Sequence, residues 1–303
     1  MAGLLLLCLL WSLDSLWPDL FPHPAGSPVP RRQMIFGSEA ASYLLLAIVT
    51  GMFAWARAAQ WPRGRQLWAS AAVGLGLFAV PAVLVSFSNT RVSATTRVAV
   101  FSLVPVFAVV LEPHLSADTR QRGMSGLLGA LAAVAGTLCI FPLQLPGSVG
   151  AAVALAALVF AAACAAVANC VVVRQARACQ ARTIAPLAAI AGAAAAVGLA
   201  IASVFTERAA FRWDALPPEL GRAAAELPGL LLLFWLMRRM TAARMTTRFV
   251  LAPLLAVLIG IALEQPSIEL RVWVGLLLVA AGAAWLLFAP EEEPDADSAS
   301  LRL

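Results

Sequence analysis

Few side chains in this chain could do chemistry, and they sit where a charge or a polar group is expensive. Asp14 and Glu39 fall within or at the edge of long apolar runs, Arg97 lies one turn into another, and Arg248 and Glu264 mark the two ends of a further one. A charge at the centre of a membrane helix costs about 2.5 to 3.5 kcal/mol on insertion scales, so such groups turn toward protein, water or a ligand. A carboxyl at Asp14 or Glu39 could take up a proton or pair with a cationic substrate. Asp14, one turn before Pro18, equally fits the headgroup region. Arg97 suits an anionic group such as a carboxylate, or else reaches back to the interface; for Arg248 and Glu264 the interface is the expectation. Asn169 can hydrogen-bond a substrate or a neighbouring helix. Trp11, Phe101 and Trp235 could wall or stack on a substrate, whereas Trp17, Trp61, Trp68 and Trp273 fit an interfacial belt. Pro105 and Pro253 each delete one backbone hydrogen bond in mid-helix, either bending a cavity-lining helix or making a packing kink.

Other chemistries find no support. Gly123-Met124-Ser125-Gly126 has the G-x-S-G pattern of an intramembrane serine protease, but a serine nucleophile needs a base, and the two histidines, His23 and His114, both precede it in expected loops. The five cysteines form no C-x-x-C and have no histidine close in sequence, so they read as small packing residues. No metal-ligand cluster, aspartate pair or phosphate-binding glycine loop is visible. The expectation is a protein that is not an enzyme and uses no cofactor and no metal.

The elements that must position these residues are membrane helices. A chain of 303 residues that is 62% hydrophobic and 12% charged cannot hide its apolar surface in a water-soluble globule. At about 20 residues per span, ten helices use up the length. The apolar segments lie at 2–17, 34–56, 67–87, 93–111, 123–141, 149–173, 184–205, an eighth with Arg222 and Glu226 in its first turns and a strongly apolar run only at 227–237, then 246–263 and 272–288, with 18–30 and 207–218 as loops. The formal charge of +5 is carried by arginines at segment ends, which report orientation and not nucleic acid. Joints after even-numbered segments are the richer in arginine, so both termini should be cytoplasmic, in a plasma membrane of the bacterial inner-membrane kind.

One stretch appears twice. Phe101-x-Leu103-x-Pro105-x-x-Ala108-Val109 returns 148 positions later as Phe249-x-Leu251-x-Pro253-x-x-Ala256-Val257. Each copy is followed by an acidic residue (Glu112, Glu264), a proline bend, and a segment carrying Gly129 and Gly136 or Gly275 and Gly282. An odd number of helices separates the copies, so the halves should face opposite ways. The sequence thus predicts an all-α membrane protein of ten transmembrane helices in two inverted five-helix repeats, 1–142 and 143–290, with a disordered acidic tail at 291–303.

These residues resemble the EamA-type transporters of the drug/metabolite transporter superfamily. The resemblance rests on Phe87-x-x-x-Arg91 through Val104-Pro105-Val106, and on Ala252-Pro253-Leu254 through Gly260, Glu264 and Gly275 to Gly282; Trp11-Ser12 stands where the family has tryptophan-glycine. It implies ten helices with both ends inside, moving small metabolites, amino acids or drugs, usually outward, by alternating access. Two features depart from the pattern. Glu112 follows its proline by seven residues and Glu264 by eleven, and Glu39 stands where relatives often carry a basic residue. The implied partners are a small-molecule substrate and the lipid bilayer, with protons as a coupling ion through Asp14 or Glu39. A non-transporting scaffold or lipid-handling protein of the same fold is the alternative.

Overall fold

The computed structural model describes residues 1–20, 35–115, 123–178, 184–206, 216–264 and 269–288, which are helices and the short turns between them. The 18–30 loop beyond residue 20, Arg120 and Arg122, most of the 207–218 loop and the acidic tail lie outside the described residues, as do the side chains of Asp14, Ser125 and Glu264.

The helices are α1 Ala2–Leu20, α2 Ile35–Ala56, α3 Arg65–Gly74, α4 Val80–Ser88, α5 Ala94–Phe101, α6 Val104–Leu115, α7 Gly123–Ile140, α8 Val149–Ala178, α9 Ile184–Thr206, α10 Leu216–Met237, α11 Ala242–Thr246, α12 Arg248–Glu264 and α13 Leu270–Phe288. A π turn, Leu75–Ala79, joins α3 to α4. Pro81 follows it; having no N–H and a ring that crowds the carbonyl four residues back, it is accommodated by the wider turn. Among the described residues eight helices are long and apolar enough to cross a membrane; Ala2–Leu13 and Gly126–Ile140 are shorter apolar helices. Large apolar side chains face outward, with Met52 66%, Phe160 61%, Val197 59% and Leu277 69% exposed. That outer surface suits lipid and no aqueous solvent. The chain is an integral membrane protein.

Several boundaries are sharpened. The eighth segment, expected to carry Arg222 and Glu226 in its first turns, is a full helix from Leu216: Pro217 and Pro218 sit in its first turn, where no N–H partner is needed, and Arg222 pairs with Glu226 at 2.9 Å along one face. Helix α1 runs on past Trp17, and α8 extends to Ala178, with Arg177 in a last turn that favours a cation.

Small residues set which helices touch. A Cβ on Gly136 would lie 2.6 Å from the Gly275 oxygen, and one on Gly282 would lie 2.6 Å from the Gly129 oxygen. Gly129 therefore meets Gly282 while Gly136 meets Gly275, so α7 and α13 run antiparallel at backbone contact. Helix α2 meets α9 in the same sense, with Gly37 opposite Ser203 and Gly51 opposite Ala189. Helix α1 packs on α12 and α8 on α6; α10 packs on α2 and α3 on α9. Each pairing turns into its companion when residue numbers are exchanged by 148. The largest buried cluster lies between these pairs, from Leu4, Leu7 and Leu46 to Leu233 and Val279.

Candidate functional site

The repeated motif places a break in a helix, twice. Ser93 accepts the Thr96 N–H at 3.3 Å and caps α5; Thr241, 148 positions on, accepts the Arg244 N–H at 3.4 Å and caps α11. Hydroxyls then compete with the helix ladder. Ser102 donates to the Ala99 carbonyl at 2.6 Å, and Thr246 and Thr247 both donate to that of Ala243 at 2.9 and 3.2 Å. The chain turns at Ser102–Leu103 and again at Thr247. Pro105 consequently lies in the first turn of α6, not in mid-helix as expected, where its missing N–H would have been an orphan in any case. Pro253 does lie inside α12 and leaves the Phe249 carbonyl without its helical donor.

The two breaks face each other. Phe101 and Phe249, equivalent residues of the two copies, stack with ring centroids 6.2 Å apart and planes 26° from parallel. Such a pair contributes about 0.5–1.5 kcal/mol beyond its buried area. We expect a double-mutant cycle of Phe101→Ala and Phe249→Ala to return a coupling of that order in unfolding experiments; additive single losses would mean that the rings do not interact.

Next to this stack is Arg248, expected at the interface but only 2% exposed. Its guanidinium carbon lies 4.7 Å from the Phe249 ring and 5.6 Å from that of Trp11. One terminal nitrogen donates to the Met245 carbonyl at 3.1 Å, while Nε is buried with no hydrogen-bond partner among the described residues. The location follows from the break: a helix restarting at Arg248 begins in the protein interior and carries the side chain beyond the reach of the interface. Trp11 is held from the other side by Ser12, whose hydroxyl lies 2.8 Å from the Ala252 carbonyl and 2.7 Å from that of Cys8. Ser12 thus ties α1 to α12 where a glycine would only allow them to approach.

Arg97 lies one turn before Phe101 on α5, half-buried, with one terminal nitrogen buried and unpartnered among the described residues. Trp11, Phe101, Arg248 and Pro253 thus come together, with Arg97 a turn away and Pro105 at the facing break. Asn169 is fully buried on α8 and donates to the Ala165 carbonyl at 2.6 Å, its own oxygen unpartnered among the described residues. Glu39 is half-buried on α2, within electrostatic range of Tyr43, and makes an interaction of its own. Trp235 is 47% exposed on the outside of α10 with Arg239 over its ring at 4.3 Å; it belongs with the outward-facing residues, not with a cavity wall. Arg57 on Phe53 and Arg91 on Phe87 repeat that helix-end pairing at 4.7 and 4.3 Å.

No family model matches the sequence, and no curated protein matches it. A solved structure described only as "Crystal structure of protein" superposes on 95% of this chain and 98% of its own with a TM-score of 0.72. The fold is shared. At 16% identity nothing more than the fold is.

The two equivalent helix starts differ. At α11 the Glu112 carboxylate, at the end of α6, accepts the N–H groups of Ala242 and Ala243, each at 3.2 Å, and Met240 to Ala243 are all buried. The position equivalent to Glu112 is Gly260, which has nothing within 4 Å of a Cβ position. At α5 the start opens onto a groove of about 230 Å³ lined by Arg91, Ser93, Thr96, Gln144 and Leu155. In sequence Glu112 is an acidic residue near a segment end, seven positions after Pro105. Its position on a helix terminus 130 residues away leaves no trace in local pattern. Among the described residues no three of His, Cys, Asp and Glu gather as a metal would need.

Proposed function

We propose that the chain is a secondary transporter of ten helices, built as two inverted five-helix repeats (1–142 and 143–290), which carries a small metabolite across the membrane by alternating access. One observation carries the reading: helix pairs exchange by 148 residues, the pairs between equivalents run antiparallel, and equivalent phenylalanines meet between the halves. Antiparallel equivalents imply a two-fold axis in the membrane plane, the arrangement in which substrate sites lie at the repeat interface. The unequal ends support it too. Two equivalent helix starts, one sealed by Glu112 and one opening onto a groove, are what a molecule closed on one side and open on the other would have. By arginine distribution the sealed end is cytoplasmic, as are both termini, and the likeness to EamA-type sequences points the same way, toward export. Asp14 and Glu39 are the carboxyls available for proton coupling. The test is flux: proteoliposomes loaded with a metabolite panel should exchange at least one compound across the bilayer. No flux for any compound, with the protein folded and inserted, would favour the scaffold or lipid-handling reading.

A further inference from the structure

We infer that Arg248 anchors the carboxylate of the transported molecule, and that the substrate is an organic acid with a flat or apolar body. The inference rests on the transport reading and names its substrate class. A guanidinium keeps its charge at neutral pH, and a buried ion left without a counter-charge is strongly destabilising, so a fold that retains one has a use for it. At Arg248 no carboxylate of a described residue is bonded to the cation; its recorded contacts are the Met245 carbonyl and the rings of Trp11 and Phe249. The rings of Phe249 and Trp11, 4.7 and 5.6 Å from the guanidinium carbon, offer no carboxylate to its N–H edge. The edge is where a carboxylate binds through two parallel N–H···O bonds, and here Nε, one of the donors of that fork, is unused.

The surroundings set the rest of the ligand. Trp11 and Phe249 lie against the cation and Phe101 stacks on Phe249, so the groups around it are aromatic and apolar. The position equivalent to Arg248 in the other repeat is Val100, so the two-fold frame holds one cation beside the stack and not a symmetric pair. A single fork balances one negative charge and favours a monocarboxylate over a phosphate dianion. Arg97, one turn from Phe101 toward the start of α5, and Arg91 at the rim of the groove set two more cations on that side. Cations spaced this way draw an anion inward.

The experiment uses the full-length protein in detergent at low chloride, with benzoate and hexanoate against benzamide and hexanamide, and melting temperature as the readout. The acids should raise it by several degrees in a saturable way and the amides should not. Arg248→Gln should melt at or above the wild-type temperature without acid, because a buried charge with no carboxylate partner among the described residues has gone, and should lose the acid-induced shift. Arg222→Gln, which alters an exposed pair, should keep it. Arg248→Lys, which retains charge but not the fork, should weaken the apparent affinity for the acids by roughly tenfold or more. Equal shifts from acids and amides, an equal shift from chloride, or an unchanged acid shift in Arg248→Gln would each overturn the assignment. Flux separates this proposal from the one beneath it. Acid binding that needs Arg248 but is accompanied by no flux removes the transporter and leaves the site; flux of uncharged compounds that ignores Arg248 removes the site and leaves the transporter.

Discussion

Leucine in place of Gly136 is expected to push α7 off α13 and to lower unfolding stability by about 3 kcal/mol or more, the upper end of what overpacking costs. A Cβ at Gly136 would stand 2.6 Å from the Gly275 oxygen and 2.6 Å from the Val279 nitrogen. These are backbone atoms, which no rotamer change can move aside, so the helices themselves must part. The matching contact of Gly282 with Gly129 then opens as well, because both lie along the same crossing. Gly260 is the control. It also lies inside a helix, but nothing stands within 4 Å of its Cβ position, so Gly260→Ala should be neutral or gain up to about 1 kcal/mol from helix propensity. Denaturant titration in micelles distinguishes the two. Similar losses for both glycines would mean that backbone freedom, not close approach, is what these positions need.

Alanine at Glu112 should be the second large effect, and it should change accessibility as well as stability. The carboxylate satisfies two N–H groups at the start of α11 from a different helix, and each buried donor left without an acceptor costs about 1–3 kcal/mol. A loss of about 2 kcal/mol or more is expected for Glu112→Ala. Glu112→Gln should lose less, since an amide oxygen still accepts but without the charge. Because Met240 to Ala243 are buried around this contact, releasing it should expose them. A cysteine introduced at Ala243 should then react with an impermeant maleimide several times faster in the Glu112→Ala background than in the otherwise unchanged protein. An unchanged labelling rate would mean that Glu112 is a helix cap and no more.

The outcomes at Trp235 and Arg248 mark where sequence reading reached its limit. Both are large side chains near the ends of apolar runs; in sequence Trp235 reads as a cavity wall and Arg248 as an interfacial cation. Trp235 turned out to lie on the lipid side and Arg248 inside. The difference is one of helix rotation and of where a helix begins. Rotation is set by which neighbour a face packs against, and α11 ends at Thr246 and α12 starts at Arg248 because of hydroxyls at Thr246 and Thr247 whose hydrogen bonds depend on the folded backbone. Pro105 is similar: the residue was legible as a helix disruptor, but the break at Ser102–Leu103 moved it into a first turn, where it disrupts little.

Composition and segment length were sufficient for an all-helical membrane protein, since apolar surface on this scale cannot be buried within the chain and must face lipid. The repeated Phe-x-Leu-x-Pro stretch and the spaced glycines were also visible, because order and spacing along a chain are properties of the sequence itself. Packing alone brought Phe101 against Phe249 and Gly136 against Gly275, buried Arg248 beside two aromatic rings, and put Glu112 on the start of α11. These are contacts between residues far apart in the chain. Their geometry comes from how helices cross, and no periodicity within one helix encodes it.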